Sequence, residues 1–413
     1  MSLLIKQATV LTMCGQKWDK GYVWVKDGII AEAGPGDPSQ SLDGDIAQTV
    51  IEAEGLYLMP GLIDAHCHVG LFDDGLGSEG QDGNESTDPV TPQLQALDGI
   101  FQDDRGFEEA CKYGITSVMT GPGSANVIAG HFAFLRTNGR TADQMARKPM
   151  AAMKAAFGEN PKKVYGNQSK TPSTRMATAS ILREALRQAS DYMKALEEAL
   201  NDKSKKKPDF NGRWEALMPV LKGQMILKIH AHRTDDILTA VRVANQYGLR
   251  YSLDHCTEGY LIADILAAEY EKGKSPDRGK GIPGKGRLIG VITGPLLSDR
   301  SKPELNRSDI SNPAILSAAG LPVSIMTDHP VIPIQYLPVS AAVAMREGMS
   351  EDLALKSITL NAAAVCDMDH QLGSIEKGKI ADLVIFSGHP LDFMSRPEWV
   401  IIDGQIIHQA DKS

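Results

Sequence analysis

The sequence predicts an α/β protein in which a (β/α)8 barrel of the TIM type lies between two β-rich chain ends. Between residues 59 and 366, apolar runs typical of strands alternate with amphipathic segments typical of helices. Repeated units of this kind form a parallel sheet, and eight of them close into a barrel whose active site lies at the carboxyl ends of the strands. The two ends of the chain have a different pattern of apolar residues, typical of short strands, and we expect them to pair into one small sheet domain.

The chain ends consist of short apolar runs separated by turn residues. Such runs occupy 3–11, 21–25 and 29–33, and the pair Asp27-Gly28 between the last two is a favoured hairpin turn. The C-terminal end repeats the pattern between 381 and 407.

In the middle region, strands and helices are predicted from apolar periodicity and from glycines that follow helical stretches. Predicted strands cover 115–120, 225–230, 249–255, 288–293 and 321–327. Predicted helices cover 104–113, 235–247, 260–270 and 339–346.

Composition excludes several function classes. The 413 residues are 42% apolar and 23% charged, and the net charge of −9 argues against a general binder of nucleic acids or anionic membranes. No uninterrupted apolar stretch reaches the roughly 18 residues of a membrane span, and the N-terminus lacks the apolar core of a signal peptide. The five scattered cysteines fit reduced thiols. We therefore expect a cytoplasmic protein with a small-molecule substrate, for which a homo-oligomer is compatible with the sequence.

Metal-ligand side chains occur where the predicted barrel strands end. His66 and His68 flank Cys67, and alternate side chains on a strand point to the same side. His230, His255 and Asp328 each close another apolar run. Five such side chains on one rim indicate a metal site, and a divalent metal with an open position typically activates water for hydrolysis.

Five motifs follow one another along the chain: Pro60 to His68, His230-Ala231-His232, Asp254-His255, Thr327-Asp328-His329-Pro330 and the closing run Leu372 to Phe386. Together they resemble the amidohydrolase superfamily over nearly the full length of the chain. The His-Ala-His form is most similar to its imidazolonepropionase and prolidase-related branch. The resemblance implies a (β/α)8 barrel at 59–366 and a small β-sandwich formed by 1–58 and 367–413.

The resemblance also implies a ligand set for one or two divalent ions, with Zn²⁺ expected. By position, His66, His68 and Asp328 would hold the first metal, and His230 and His255 the second. His232 would lie past the end of its strand, so we interpret it as a group that contacts the substrate.

Two metals need a bridging anion, which in the superfamily is a carboxylated lysine on the fourth barrel strand or a glutamate. Lys154 is the only charge in the apolar run 150–157, where a free ammonium is costly to bury. Carboxylation would convert it into an anion, so we favour Lys154. A helical run with a solvated Lys154, and a bridge by Glu159, remain alternatives.

The ligand set predicts hydrolysis of a carbon–nitrogen bond in an amide, a cyclic amide or a small peptide. Metal-activated hydroxide would attack the carbonyl, and Asp328 would take up the proton and deliver it to the leaving nitrogen. Arg233 and His329 are further candidates for substrate binding, although Arg233 has Asp235 and Asp236 as alternative partners. The loops 82–88 and 121–130 are expected to border the pocket.

Two other functions stay open at this point. A mononuclear deaminase would use a glutamate three residues after the histidine of the fifth strand, whereas His230 is followed by Ala231-His232-Arg233. A catalytically silent binding protein on the same fold would usually have lost metal ligands.

Overall fold

Two sheets organise the chain, which is described here by a computed structural model for residues 2–38, 47–73, 75 and 77–411. Residues 39–46, within the predicted first β region, lie outside the described residues. The described strands are β1 Ser2–Leu11, β2 Lys17–Lys26, β3 Ile29–Pro35, β4 Thr49–Glu52, β5 Tyr57–Pro60, β6 Leu62–Cys67, β7 Ile115–Thr120, β8 Ile128–Arg136, β9 Ala146–Ala156, β10 Ile226–Ala231, β11 Arg250–His255, β12 Arg287–Thr293, β13 Val323–Ile325, β14 Leu383–Phe386, β15 Pro397–Ile402 and β16 Gln405–Gln409.

Four of the described helices, at 105–112, 234–247, 263–273 and 337–346, lie where the sequence predicted them, and the others were not predicted. Helix α1 is capped by the Asp104 carboxylate, which accepts a hydrogen bond from the Gly106 amide, and α6 ends at Gly248 in the left-handed conformation. The helices are α1 Arg105–Lys112, α2 Ala142–Met145, α3 Glu159–Gly166, α4 Arg175–Asn201, α5 Gly212–Leu221, α6 Thr234–Tyr247, α7 Ala263–Gly273, α8 Asn312–Ala318, α9 Leu337–Arg346, α10 Glu351–Ser357 and α11 Leu360–Val365. None of these described helices combines the length and apolarity required to cross a membrane.

The terminal sheet joins both ends of the chain. Its strand order is β16-β15-β14-β5-β1-β2-β3, with β4 also paired to β1, and β14 runs antiparallel to β5. The strands form one hydrogen-bonded sheet among the described residues, so the expected pairing of the ends is found, whereas two facing sheets of a sandwich are not confirmed.

The second sheet is a nearly closed barrel in the order β6-β7-β8-β9-β10-β11-β12-β13. The prediction of an entirely parallel barrel was wrong, because β8 runs antiparallel to both β7 and β9. The physical reason is the short connection 121–127 between β7 and β8. A parallel crossover needs about a dozen residues, usually with a helix, whereas a shorter link can only turn the chain back.

The carboxylate of Asp64 holds the first and last barrel strands together. Asp64 is fully buried on β6, and its Oδ2 accepts hydrogen bonds from the Thr327 amide at 3.1 Å and hydroxyl at 2.6 Å. Its Oδ1 accepts the His66 amide at 3.1 Å, and the His68 amide donates to the His329 carbonyl at 2.9 Å. These hydrogen bonds between the first and last barrel strands, the Asp64 seam, fix the backbone on which the predicted ligands lie.

An ion-pair cluster centred on Arg147 joins the barrel to the terminal sheet. The guanidinium contacts both carboxylate oxygens of Asp382 at 2.9 Å and one of Asp403 at 2.8 Å. Asp382 is almost completely buried, with 3% of its side chain exposed. Removing one partner of a buried pair leaves an uncompensated charge.

We expect Arg147→Met to lower the free energy of unfolding by about 3 kcal/mol, measured by urea denaturation. The control is Arg105→Met, since Arg105 is exposed and forms an i,i+4 pair with Glu109 that contributes about 0.5 kcal/mol or less. Equal stabilities of the two variants would contradict this role of Arg147.

Candidate metal centre

The predicted ligand residues converge at the carboxyl ends of the barrel strands. They lie in or shortly after β6, β9, β10, β11 and β13, and four of them, His68, His230, His255 and Asp328, line a cavity of about 650 Å³. Two of them have backbone φ values in the left-handed region, +68° for His255 and +55° for Asp328, and such strain concentrates at functional sites. The buried members of the cluster are His66, His68, His230, His232 and His255.

The first group contains His66, His68 and Asp328. Oδ1 of Asp328 lies 3.5 Å from Nε2 of His66 and 3.3 Å from Nε2 of His68, and Nζ of Lys154 lies 3.4 Å from Nε2 of His66. Donor atoms at 2.0–2.2 Å from one tetrahedral ion are separated by roughly 3.3–3.6 Å. The atoms of this group therefore have the spacing of ligands that share a metal.

Hydrogen bonds behind the rings determine which nitrogen of each histidine faces the site. Nδ1 of His68 is 2.7 Å from the Gly121 carbonyl, and Nδ1 of His255 is 3.0 Å from the Gly294 carbonyl. A carbonyl can only accept, so both Nδ1 atoms carry a proton and Nε2 is the nitrogen that faces the site. Nε2 of His68 lies 3.3 Å from Oδ1 of Asp328, and either a proton or a metal ion between these two atoms makes the contact favourable.

His66 is oriented by a buried carboxylate. Its Nδ1 lies 2.7 Å from Oδ2 of Asp254, which also contacts Nζ of Lys228 at 3.1 Å, and Oδ1 of Asp254 accepts from Ser252 at 2.7 Å. Burial opposes ionisation of Asp254, but the Lys228 ammonium and the His66 hydrogen bond hold its pKa below the ordinary value. The ionised carboxylate keeps the proton on Nδ1 and leaves Nε2 of His66 open.

The second group contains His230, His232 and His255, each of which offers a nitrogen within 4.8 Å of the others. Among the described residues, neither ring nitrogen of His230 has a hydrogen-bond partner, although the side chain is buried. An unpaired buried polar group costs about 1–3 kcal/mol, so a bound ligand is the simplest compensation. His232 follows β10, as predicted, yet its ring joins this group.

Lys154 lies on β9 and is fully buried. The helical alternative for this run was wrong, because it pairs as a strand with β8 and β10. Burial lowers the pKa of Lys154 to about 8, so roughly a tenth of the side chain is neutral at pH 7. Its Nζ lies 5.4 Å from the ring centroid of Phe132, a residue of the antiparallel strand.

Gly121 leaves room for the Phe132 ring. A Cβ at this position would lie 2.4 Å from the Phe132 ring, so only glycine allows the ring and the carbonyl that orients His68 to occupy the same place.

The sequence profile of the amidohydrolase family matches residues 57–407. The chain belongs to the amidohydrolase family. This membership confirms the resemblance seen in the sequence and the predicted enzyme class, a hydrolase of the amidohydrolase type. Among solved structures, an amidohydrolase from Thermotoga maritima superposes with a TM-score of 0.90 at 39% identity, covering 99% of this chain and 100% of the other.

Other amidohydrolase relatives match less closely. Amidohydrolase tasK of Hapsidospora irregularis is 29% identical over 94% of this chain, and the chain spans 40% of the length of that relative. An imidazolonepropionase of Treponema denticola is 25% identical over 92% of this chain and 89% of its own length. A structure of a prolidase complexed with N-methylphosphonate-L-proline shares the fold at 18% identity and a TM-score of 0.59.

Three of the predicted site residues are not brought into the ligand groups of this amidohydrolase. Arg233 is half exposed and pairs with Asp235 at 3.1 Å, away from the cavity lining, as the alternative interpretation expected. Glu159 opens α3, and its amide donates to Glu304 at 2.8 Å. His329 is buried behind the lining, where its Nδ1 accepts from the Ile334 amide.

The predicted loops do border the cavity. Asn84 from the loop 82–88 and Gly123 and Ser124 from the loop 121–130 line it. Sequence reasoning named the motif Asp254-His255 but gave Asp254 no role, and it missed Lys228, Glu304 and Thr257, whose hydroxyl lies 2.7 Å from Nδ1 of His232. Lys228 carries the same signal as Lys154, a single charge in an apolar run.

Burial of neutral histidines predicts how the metal-stripped protein responds to acid. Burial lowers the pKa of His66 and of His232 to about 3, below the 6.5 of the unfolded chain. The unfolded state therefore binds protons first as the pH falls below 6.5, and stability is lost between about pH 6.5 and 3. Each such histidine lowers the free energy of unfolding by about 2 kcal/mol at pH 5 relative to pH 7.

Urea unfolding of the stripped protein at pH 7 and pH 5 measures this loss. The variant His232→Gln should lose about 2 kcal/mol less than the wild type over the interval. An equal loss in both proteins would show that His232 is not buried in neutral form.

Proposed function

We propose that this amidohydrolase is a metal-dependent hydrolase that cleaves a carbon–nitrogen bond of an amide, a cyclic amide or a small peptide. The observation that carries the proposal is the arrangement of His66, His68 and Asp328, in which Oδ1 of Asp328 lies 3.5 and 3.3 Å from Nε2 of the two histidines at the edge of the cavity. Atoms spaced in this way fit the ligands of one divalent cation.

The residues present fit one or two such ions. His66, His68 and Asp328 would hold the first together with Lys154, and His230 and His255 would take part in holding the second. The nitrogen-rich donor set favours Zn²⁺. When bound, the metal supplies Lewis acidity, which polarises a carbonyl oxygen and makes water acidic enough to yield hydroxide near neutral pH.

Lys154 would join the site as a carbamate. Its neutral amine adds to carbon dioxide, a nitrogen–carbon bond forms, and one proton leaves to solvent. The anion that results removes the cost of burying an ammonium beside Lys228, the lysine paired with Lys154 across β9 and β10.

Asp328 would transfer the proton of the attacking water to the leaving nitrogen. Its carboxylate lies between the two histidines of the first strand and reaches the cavity, so it can accept a proton from the attacking water and pass it to the nitrogen that leaves. The Asp64 seam holds the preceding Thr327 in place, which limits the freedom of the Asp328 backbone.

The cavity sets the substrate size. Its volume of about 650 Å³ suits a small molecule, and polar groups of Asn84, Ser124, Asn160 and Lys302 lie on its wall. Nζ of Lys302 is held by the Asn160 side-chain oxygen at 3.0 Å.

A screen of N-acyl amino acids, dipeptides and cyclic amides with the metal-loaded protein tests the proposal. We expect turnover of at least one class that stops on chelation and resumes when metal is restored. Release of ammonia from amine-bearing heterocycles alone would favour the deaminase instead. Turnover of none of these compounds by the fully loaded protein would favour a silent binding protein.

A further inference from the structure

Three polar side chains form a hydrogen-bonded row on one wall of the cavity, and each comes from a different loop. Ser124 follows β7, Asn160 lies in the first turn of α3, and Lys302 lies in the segment after β12. Nζ of Lys302 donates to the Asn160 side-chain oxygen at 3.0 Å, and the Asn160 side-chain nitrogen donates to the Ser124 hydroxyl at 2.8 Å. We call these three residues the donor row.

The direction of these hydrogen bonds leaves several donors of the donor row unused. An ammonium has three N–H groups and a side-chain amide has two, so Lys302 and Asn160 each keep at least one. The Ser124 hydroxyl accepts from Asn160 and donates its own proton to no described residue. A ligand that accepts hydrogen bonds therefore fits this wall.

The Lys302 ammonium forms no ion pair with a carboxylate in the described part of the chain. Asp299 and Asp309 also line the cavity, but both are exposed and accept hydrogen bonds within their own turns, from Ser301 and Ser311. A half-buried cation without a carboxylate partner is best stabilised by an anion that can also accept its hydrogen bonds.

The segment that carries Lys302 is fixed against the start of α3. Glu304, two residues further along, is buried, and its Oε2 accepts the Glu159 amide at 2.8 Å. Gly158 has φ +88°, and a Cβ there would lie 2.7 Å from the same oxygen, so only glycine lets the carboxylate approach this closely. The donor row is therefore preorganised, which lowers the entropic cost of binding a ligand.

The donor row shares its cavity with the candidate metal centre. The lining of the cavity, whose volume is about 650 Å³, also includes His68, His230 and Asp328. After burial, the Lys302 charge is the main influence that lowers the pKa of His232, so the ammonium lies within electrostatic range of that ring. One bound molecule can therefore contact the donor row and the candidate metal centre together.

We propose that the donor row of Lys302, Asn160 and Ser124 binds a carboxylate of the substrate, which makes the substrate an acidic amide such as an N-acyl amino acid or a dipeptide. This inference rests on the proposed function and narrows its substrate class. One ammonium matches the single charge of a carboxylate, and the neutral donors beside it serve the second oxygen. A neutral analogue leaves the ammonium without a counter-charge and is therefore selected against.

The test compares N-acetyl amino acids with the same compounds in which the carboxylate is converted to a primary amide. Binding to the metal-loaded protein is measured by isothermal titration calorimetry, and kcat/KM is measured for any compound that turns over. We expect the wild type to favour each carboxylate by about 30-fold or more, and Lys302→Met to lose this preference while its affinity for the amides changes less than about 3-fold. The matched control is Arg300→Met, since Arg300 is an exposed cation on the same wall that donates to the Ser308 carbonyl at 2.9 Å, and it should keep the wild-type preference.

Lys302→Gln provides a second variant, because it removes the charge and retains a donor for Asn160, and it should lose the preference as well. Equal affinity of the wild type for both forms, a wild type that binds none of the carboxylates, or an unchanged preference in folded Lys302→Met would overturn the proposal. Carboxylate binding that depends on Lys302 but occurs without turnover contradicts the proposed function alone. Conversely, equally efficient turnover of the carboxylates and the amides contradicts only the carboxylate site.

Discussion

Asp328→Asn is expected to lower kcat/KM by about 10⁴-fold, because the proposed mechanism uses this one side chain both as metal ligand and as proton carrier. The amide cannot accept the proton of the attacking water, and it binds a divalent cation weakly. The fold should persist, since the seam depends on Asp64 and Thr327 and not on the Asp328 carboxylate. Steady-state kinetics on a substrate from the screen, with circular dichroism for the fold, measure the effect.

The matched control is Asp299→Asn, which removes an exposed carboxylate from the same cavity and should change kcat/KM only a few-fold. Wild-type turnover by Asp328→Asn would refute its assignment as base and ligand.

Lys154→Met should lower activity by about 10³-fold and weaken metal binding at the first group, since it removes the proposed carbamate ligand. Reconstitution of the stripped wild type should depend on bicarbonate, which supplies the carbamate, whereas the variant should show no such dependence. Because mass spectrometry can lose a labile carbamate, the rate of reactivation with and without bicarbonate is the better readout.

Lys228→Met is a closely matched control, because Lys228 and Lys154 have similar surroundings. Both lysines are fully buried, face each other across β9 and β10, and lie 5.4 and 5.5 Å from the Phe132 centroid. Lys228, however, contacts the Ala65 carbonyl and Asp254, so its loss should reduce stability by about 3 kcal/mol and leave the bicarbonate dependence intact. Full activity and two bound ions in Lys154→Met would contradict the carbamate.

The fold and the first ligands could be predicted because each buried strand ends abruptly in a polar residue. His66, His230, His255 and Asp328 interrupt apolar runs, and parallel strands bring their ends to one rim. The antiparallel β8 could not be predicted from apolar texture, since strand direction depends on the length of the connection and not on the strand itself.

The burial of Glu304 could not be predicted from the sequence. It lies in a polar segment that reads as a surface loop, and its burial arises only because that segment folds over Gly158 and His232. Arg233 is the opposite case, a residue next to a ligand motif that does not reach the site. Its guanidinium donates to the nearby Asp235 at the surface. Tertiary packing decides both cases, and no local pattern distinguishes them.

The metal content of the purified protein tests the central claim most directly. After expression in metal-supplemented medium, elemental analysis should find between one and two divalent ions per chain in the wild type, with at least one lost in Asp328→Asn. Fewer than about 0.5 equivalents in the wild type would contradict a metal-dependent hydrolase, whatever the fold.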